Sequence, residues 1–210
     1  KLVAGKEFMP QVNAEVDTIQ INYFMDGGLV NIKYRDRNKN FKLFKGAKLI
    51  FYNIDSIKDY TSVYIVEGEM DALSFIEAGI LNVISVPNGA TISKNNLQYV
   101  DNCLEKLLHI EEFYLATDND VSGINLQEEL AVRFGKEKCF KIGFGEYKDA
   151  NDCLVAKGLD GLYEATQTKT PFPLEGIFTI SDISDEIDDM YINGLEKGKR
   201  VGIKSIDDNC

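Results

Sequence analysis

Acidic residues gather in three short stretches of this 210-residue chain, each beside a run that reads as regular structure. In the first, Val66-Glu67-Gly68-Glu69-Met70-Asp71, Glu67 closes an apolar run, Gly68 makes a turn and Asp71 falls in the first turn of a helix. In the second, Leu115-Ala116-Thr117-Asp118-Asn119-Asp120, two carboxylates leave a strand end two residues apart, and Gly123 allows a tight entry into the next helix. An extended backbone points both the same way. Three acids crowded at one sheet edge repel one another and raise each other's pKa unless a hard cation neutralises them. Glu67, Asp118 and Asp120 therefore read as one divalent-metal site, with Mg2+ (or Mn2+) the expected cofactor. Such an ion takes a few carboxylate oxygens and keeps its other positions for water and phosphate. The third stretch, Lys148-Asp149-Ala150-Asn151-Asp152, adds an acid, Asp149, and a phosphate-binding lysine, Lys148, to the same edge. Helix capping alone would account for Asp71, Asp120 or Asp149 taken singly. It does not account for Glu67 followed by Gly68-Glu69, or for Asp118 and Asp120 together.

Such an edge requires strands whose C-termini converge. From Ser62 onward the pattern alternates strand and helix, with strands at Val63–Val66, Val83–Val86, Phe113–Ala116 and Cys139–Ile142. Helices are expected over Met70–Ala78, Leu97–Leu108, Ile124–Phe134 and Ala150–Lys157, with Gly79 and Gly135 where helix ends favour glycine. Short apolar strands linked by helical crossovers imply an α/β fold, a mostly parallel sheet flanked by helices, whose chemistry sits at the strands' C-terminal ends. Before it, Thr18–Phe24, Leu29–Arg37 and Phe41–Phe44 read as strands joined by the Met25-Asp26-Gly27-Gly28 and Asn38-Lys39-Asn40 turns. In the middle strand Val30, Ile32 and Tyr34 alternate with Lys33, Arg35 and Arg37. Period two puts the three cations on one face and leaves the opposite face for the core.

Charge sharpens the division. Seven basic residues against one acid between Lys33 and Lys48 give that stretch +6, so the rest of a chain at −11 carries −17. That separation suits one basic face for polyanions and a separate acidic site for metal. With 44% hydrophobic and 27% charged residues the chain falls in the globular range. No apolar run approaches the roughly 20 residues a membrane span needs, and the N-terminus has no export signal, so a cytoplasmic protein without a membrane partner is expected. Cys103, Cys139, Cys153 and Cys210 form no paired knuckle and the one histidine is His109, which argues against structural zinc. The proline-bearing run after Thr166 reads as a linker, and Ile180, Ile183, Ile187, Met190 and Tyr191 as the stripe of an amphipathic helix ending near Gly194. Three parts are expected: a basic β-rich subdomain at 1–60, the α/β domain at 61–166, and a linker with helix at 167–210.

Taken in order, E-G-x-x-D-A-L at Glu67–Leu73, P-N-G-A at Pro87–Ala90, T-D-x-D-x-x-G at Thr117–Gly123 and K-D-A-N at Lys148–Asn151 resemble the Toprim domain of phage-type and Twinkle-like DNA primase-helicases. The preceding Leu29–Arg35 and Asn40–Lys42 resemble the basic subdomain of those proteins, and Gly198–Ile203 through Ile206-Asp207 their entry into a RecA-like helicase domain. The resemblance implies metal-dependent synthesis of RNA primers on single-stranded DNA from ribonucleoside triphosphates. It makes Asp118 and Asp120 the principal metal ligands, Glu67 a ligand or general base, and Asp149 a supporting ligand. Lys33, Arg35, Arg37, Lys42 and Lys148 would hold template and triphosphate, while Gly68, Asp71, Asn88 and Gly89 support the site. A helicase domain, in the same full-length chain, is the implied partner. Two departures stand out. No zinc ribbon is present, and Gly194–Arg200 falls one residue short of a P-loop and lacks its Ser/Thr, so ATPase activity is not expected of these residues. Two other readings share the pattern: a Toprim module kept as a DNA-binding, assembly-promoting arm of a ring helicase, and a Toprim nuclease.

Overall fold

The computed structural model describes residues 2–91, 96–174, 176 and 183–194. Lys1–Phe172 forms one compact unit and Pro173–Cys210 a second. The first begins with a four-stranded antiparallel sheet in the order β1 (Leu2–Met9), β2 (Ala14–Met25), β3 (Gly28–Asp36), β4 (Phe41–Leu43). Asp26 and Gly27 both have positive φ, as a two-residue hairpin turn between β2 and β3 demands. The Asp55 carboxylate accepts from both turn amides, at 2.9 and 3.0 Å, pinning the hairpin to a 3-10 turn at Ile54–Ile57.

A five-stranded sheet follows, in the order β6 (Val83–Ser85), β5 (Ser62–Val66), β7 (Glu112–Ala116), β8 (Cys139–Ile142), β9 (Lys169–Pro171). Its first four strands are parallel and β9 is antiparallel. The helices are α1 (Glu69–Glu77), α2 (Gln98–Asn102), α3 (Leu104–Leu107), α4 (Val121–Phe134) and α5 (Ala150–Gln167). The chain steps from β5 outward to β6, then returns to place β7 on the other side of β5. The loops after β5 and β7 therefore part company at a switch in strand order, where open α/β sheets bind ligands. Register pairs Val66 with Ala116, so Glu67 and Thr117 leave the sheet side by side.

One core serves both sheets: Ile21 and Tyr23 from β2 are buried with Ile65, Phe75, Leu115, Leu126 and Leu130. This settles which face of β3 turns inward. Asn31 and Lys33 lie opposite Tyr23 and Ile21, and both are buried, so the face that carries the cations closes on the core at Lys33, while Arg35 is half-buried and Arg37 exposed. Alternation holds as expected, and on the opposite face Tyr34 is buried and Val30 packs against the core, but Lys33 is buried as well, because β2 commits Ile21 and Tyr23 to its side.

Other departures are local. The helix expected over Leu97–Leu108 is two short ones, divided at Cys103 (φ −110°). Helix α4 begins at Val121, and α5 runs past Lys157 to Gln167 across a kink at Gly158 (φ 73°). Strands β1 and β9, both largely exposed, give no apolar alternation strong enough to read in advance. In the second unit α6 (Ser184–Asn193) carries Ile187, Met190 and Tyr191 exposed. Ile180 and the Gly198–Asp207 segment lie outside the described residues. Among those described, no helix is long and apolar enough to cross a membrane.

Candidate metal and nucleotide site

Glu67 emerges directly from β5, and Gly68 caps α1 in an extended conformation. A Cβ on Gly68 would lie 2.8 Å from Asp71 Oδ2, so glycine is what lets the Asp71 carboxylate approach the turn. Gly89 holds a φ of +68°, a left-handed conformation that other residues adopt at a cost, and so presents the Ala90 amide to Glu67 Oε1 at 3.0 Å. The other oxygen, Glu67 Oε2, is buried without a hydrogen-bond partner. Burial pushes the Glu67 carboxyl above its usual range; the backbone amides of Ala90 and, more weakly, Asp118 oppose this, and the charges of Asp118 and Asp120 add to it.

Asp118 and Asp120 follow β7. A Cβ at Gly123 would sit 2.1 Å from the Asp118 carbonyl oxygen, so the tight entry into α4 requires glycine at this position. Asp120 divides its two oxygens. Oδ1 caps α4 by accepting from the Gly123 amide at 3.0 Å, and Oδ2 faces Lys148 Nζ at 3.2 Å. The capping bond holds the Asp120 carboxyl below the usual range, whereas burial raises that of Asp118. Lys148 Nζ also reaches Asp118 Oδ2 at 3.1 Å, and the two carboxylates drive the lysine pKa upward. The Asn119 amide bonds the Lys148 carbonyl at 2.7 Å, tying the loop after β7 to the loop before α5. Asp149 caps α5 through the Asp152 amide at 2.7 Å. Asp71 accepts from the Asn151 amide at 3.1 Å. Burial first, and then the Asp149 charge, push its carboxyl up to about 7.

Across from these loops stands the antiparallel sheet. Together they bound a cleft of about 560 Å³ lined by Lys33, Phe41, Lys42 and Leu43 on one side and by Glu67, Gly68, Glu69, Asp71, Asn88, Gly89, Asp118 and Lys148 on the other. Lys42 is half-buried and reaches Glu7 Oε1 at 2.6 Å. Lys33 is sealed in by Glu69 Oε1 at 2.7 Å and the Pro87 carbonyl at 2.8 Å, and the Tyr23 hydroxyl donates to the same Glu69 oxygen. Arg35 lies against the Phe41 ring, and exposed Arg37 lines a different hollow beside Asp17 and Asp36. Of the expected cations, then, Lys33, Lys42 and Lys148 line the acid-bearing cleft. Glu69, Tyr23 and Phe41 escaped the sequence reading. The Glu67-Gly68-Glu69 spacing was the available signal for Glu69, but its partner Lys33 lies 36 residues upstream.

A divalent ion suits this donor set. The donors on offer are hard carboxylate oxygens, Glu67 Oε2 is buried without a hydrogen-bond partner, and a cation, the Lys148 ammonium, already bridges Asp118 and Asp120. Among the described residues no group of three or more His, Cys, Asp or Glu side chains is placed to hold a metal ion.

A Toprim-like family model matches residues 64–154. The chain is 36% identical over 208 residues to the Twinkle homolog protein, chloroplastic/mitochondrial, of Arabidopsis thaliana, covering 90% of this chain and 29% of that protein. It is 37% identical over 174 residues to the Primase homolog protein of the same plant, covering 75% of this chain and 52% of that one. The chain thus spans between about a third and about half of the curated relatives it matches. The crystal structure of the primase fragment of the bacteriophage T7 primase-helicase superposes with a TM-score of 0.63 at 25% identity, over 71% of this chain and 63% of that one.

Proposed function

We propose that the chain, which matches a Toprim-like family model over residues 64–154 and is similar to Twinkle and primase homologues, is the primase core of a primase-helicase, joining ribonucleotides on a single-stranded DNA template. One observation carries the reading. The Glu67 and Asp118 carboxylates and the Lys42 and Lys148 side chains line a single cleft, with Lys33 paired to Glu69 in its wall, so acid for metal and cation for phosphate meet where the strand order switches.

A bound divalent ion, Mg2+ or Mn2+, would neutralise triphosphate charge and lower the pKa of an attacking 3′-hydroxyl. Asp118, Asp120 and Glu67 are the residues that would hold it, with Asp149 in support. Glu67 is fixed through Oε1 by the Ala90 amide, which leaves Oε2 aimed with little freedom. Lys148, half-exposed at the cleft mouth, presents an ammonium to phosphate, and Lys42 a second one. The Lys33–Glu69 pair, held to the Pro87 carbonyl, ties the basic sheet to the loop that orients Glu67. A RecA-like helicase domain is the proposed partner.

In the test, Mn2+ or Mg2+ is titrated while thermal stability and template-dependent dinucleotide synthesis are followed in wild type and in Asp118→Asn/Asp120→Asn. Metal should raise the wild-type Tm and support synthesis, and the double variant should lose both responses. A wild-type chain indifferent to metal in both assays overturns the reading. One observation favours a second reading, a DNA-binding and assembly arm without synthesis: Lys148 already satisfies Asp118 and Asp120. That arm binds single-stranded DNA in the same titration without making dinucleotide.

A further inference from the structure

Metal and phosphate chemistry leave one part of the cleft wall unexplained. Among its described lining residues Phe41 is the one aromatic, and it is 45% exposed although charged side chains surround it. Exposed phenylalanines are common singly, and Phe8 and Phe44 are as exposed without lining this cleft. Phe41 differs in lining the cleft and in having two cations against its ring. Its strand pairs with β3 at Arg35, and its carbonyl accepts from Gln11 Nε2 at 2.7 Å. Lys33 Nζ stands 4.9 Å from its ring centroid and the Arg35 guanidinium carbon 5.7 Å. An aromatic ring backed by cations, fixed on a strand and still open, has the properties of a stacking platform, which accepts any base because every base has a π-face.

We propose that the Phe41 ring is a stacking wall for a nucleobase in the cleft whose opposite side carries Glu67, Asp118 and Lys148. The inference rests on the proposed nucleotide chemistry of this site and adds what that chemistry lacks, a contact to the base. At one wall the ammonium of Lys148, and the acids through a bound divalent ion, would engage phosphates; the ring at the other engages the base, so a nucleotide is held by both ends. The cleft volume lies within the range of small-ligand sites.

Calorimetric titration of wild type, Phe41→Leu and Phe41→Trp with Mg2+ present tests this, using ATP, inorganic tripolyphosphate and an oligo-dT strand as probes. Stacking contributes about fivefold to about 150-fold per base. Wild type and Phe41→Trp should bind ATP more tightly than tripolyphosphate by a factor in that range, and Phe41→Leu should lose most of the difference with tripolyphosphate affinity unchanged. Loss confined to ATP assigns the ring to a free nucleotide, and loss confined to oligo-dT assigns it to a template base. Equal loss for ATP and tripolyphosphate, or affinities for both ATP and oligo-dT within about twofold of wild type, overturns the inference while the proposed function stands. A wild type that binds none of the three probes overturns both.

Discussion

Asp118 and Asp120 owe their tolerance of one another to Lys148, which bridges them at 3.1 and 3.2 Å. Sequence alone places the two acids together and infers that their repulsion is relieved only by metal; the structure supplies an internal cation as well. Metal-free Asp118→Asn/Asp120→Asn should therefore stay within about 1 kcal/mol of metal-free wild type, since the exposed lysine loses little and Asn still caps α4. A larger change in a urea melt would contradict this. Asp71 gives a pH signature. Its folded-state pKa of about 7 exceeds its usual 3.8, so the unfolded chain releases this proton first. Ionisation then opposes folding, and stability should fall as pH rises from about 4 to about 7 and level off beyond. Asp71→Asn, which still offers the Asn151 amide an oxygen, should flatten that slope in denaturant melts across the window. An undiminished slope would show that other groups set it. The acids themselves were legible because strand-end carboxylates beside glycine are a local pattern. Glu69 and Phe41 were not, because what marks each of them is a partner on another element.

Strand β3 shows the same limit at the scale of elements. Alternation correctly puts Lys33 and Arg35 on one face, yet periodicity carries no information about which face a second sheet will cover. That is decided by Ile21 and Tyr23 across the ladder, which enter the core on the Lys33 side. Replacing the Lys33, Arg35 and Arg37 cations together, reasonable for an exposed basic face, would bury a charge defect. Lys33→Ala should cost about 3–5 kcal/mol, because it leaves the Glu69 carboxylate buried with its cation removed. Lys33→Ala/Glu69→Ala should cost less than the sum of its parts, whereas Arg37→Ala should stay within about 0.5 kcal/mol. Equal costs for Lys33→Ala and Arg37→Ala would deny the buried pair any structural role. Strands of the parallel sheet were readable because both faces are buried and the apolar runs are short. Exposed β1, antiparallel β9 and the Gly158 kink had no comparable pattern behind them.

Viewed whole, the molecule has its two sheets fastened by one core. Ile21, Tyr23, Phe51 and Ile54 lie ahead of the first parallel strand and are buried with its residues. A fragment of residues 61–172 should therefore lack a cooperative thermal transition and bind a hydrophobic dye, while residues 1–172 should unfold in one step. A cooperative melt of the shorter fragment would show that the parallel sheet folds alone. Charge divides across this shared core as the composition suggests, with cations on β3 and β4 facing acids on the loops after β5 and β7.

The Lys148 bridge has a consequence for how the site would be filled. A pair of carboxylates that carries its own counterion is not an empty receptacle under strain; on the proposed metal chemistry it would act as an ion exchanger. Loading would be a swap of one ammonium for one doubly charged ion, favouring divalent over monovalent competitors. The lysine so released would become available to the phosphates that arrive with the incoming nucleotide.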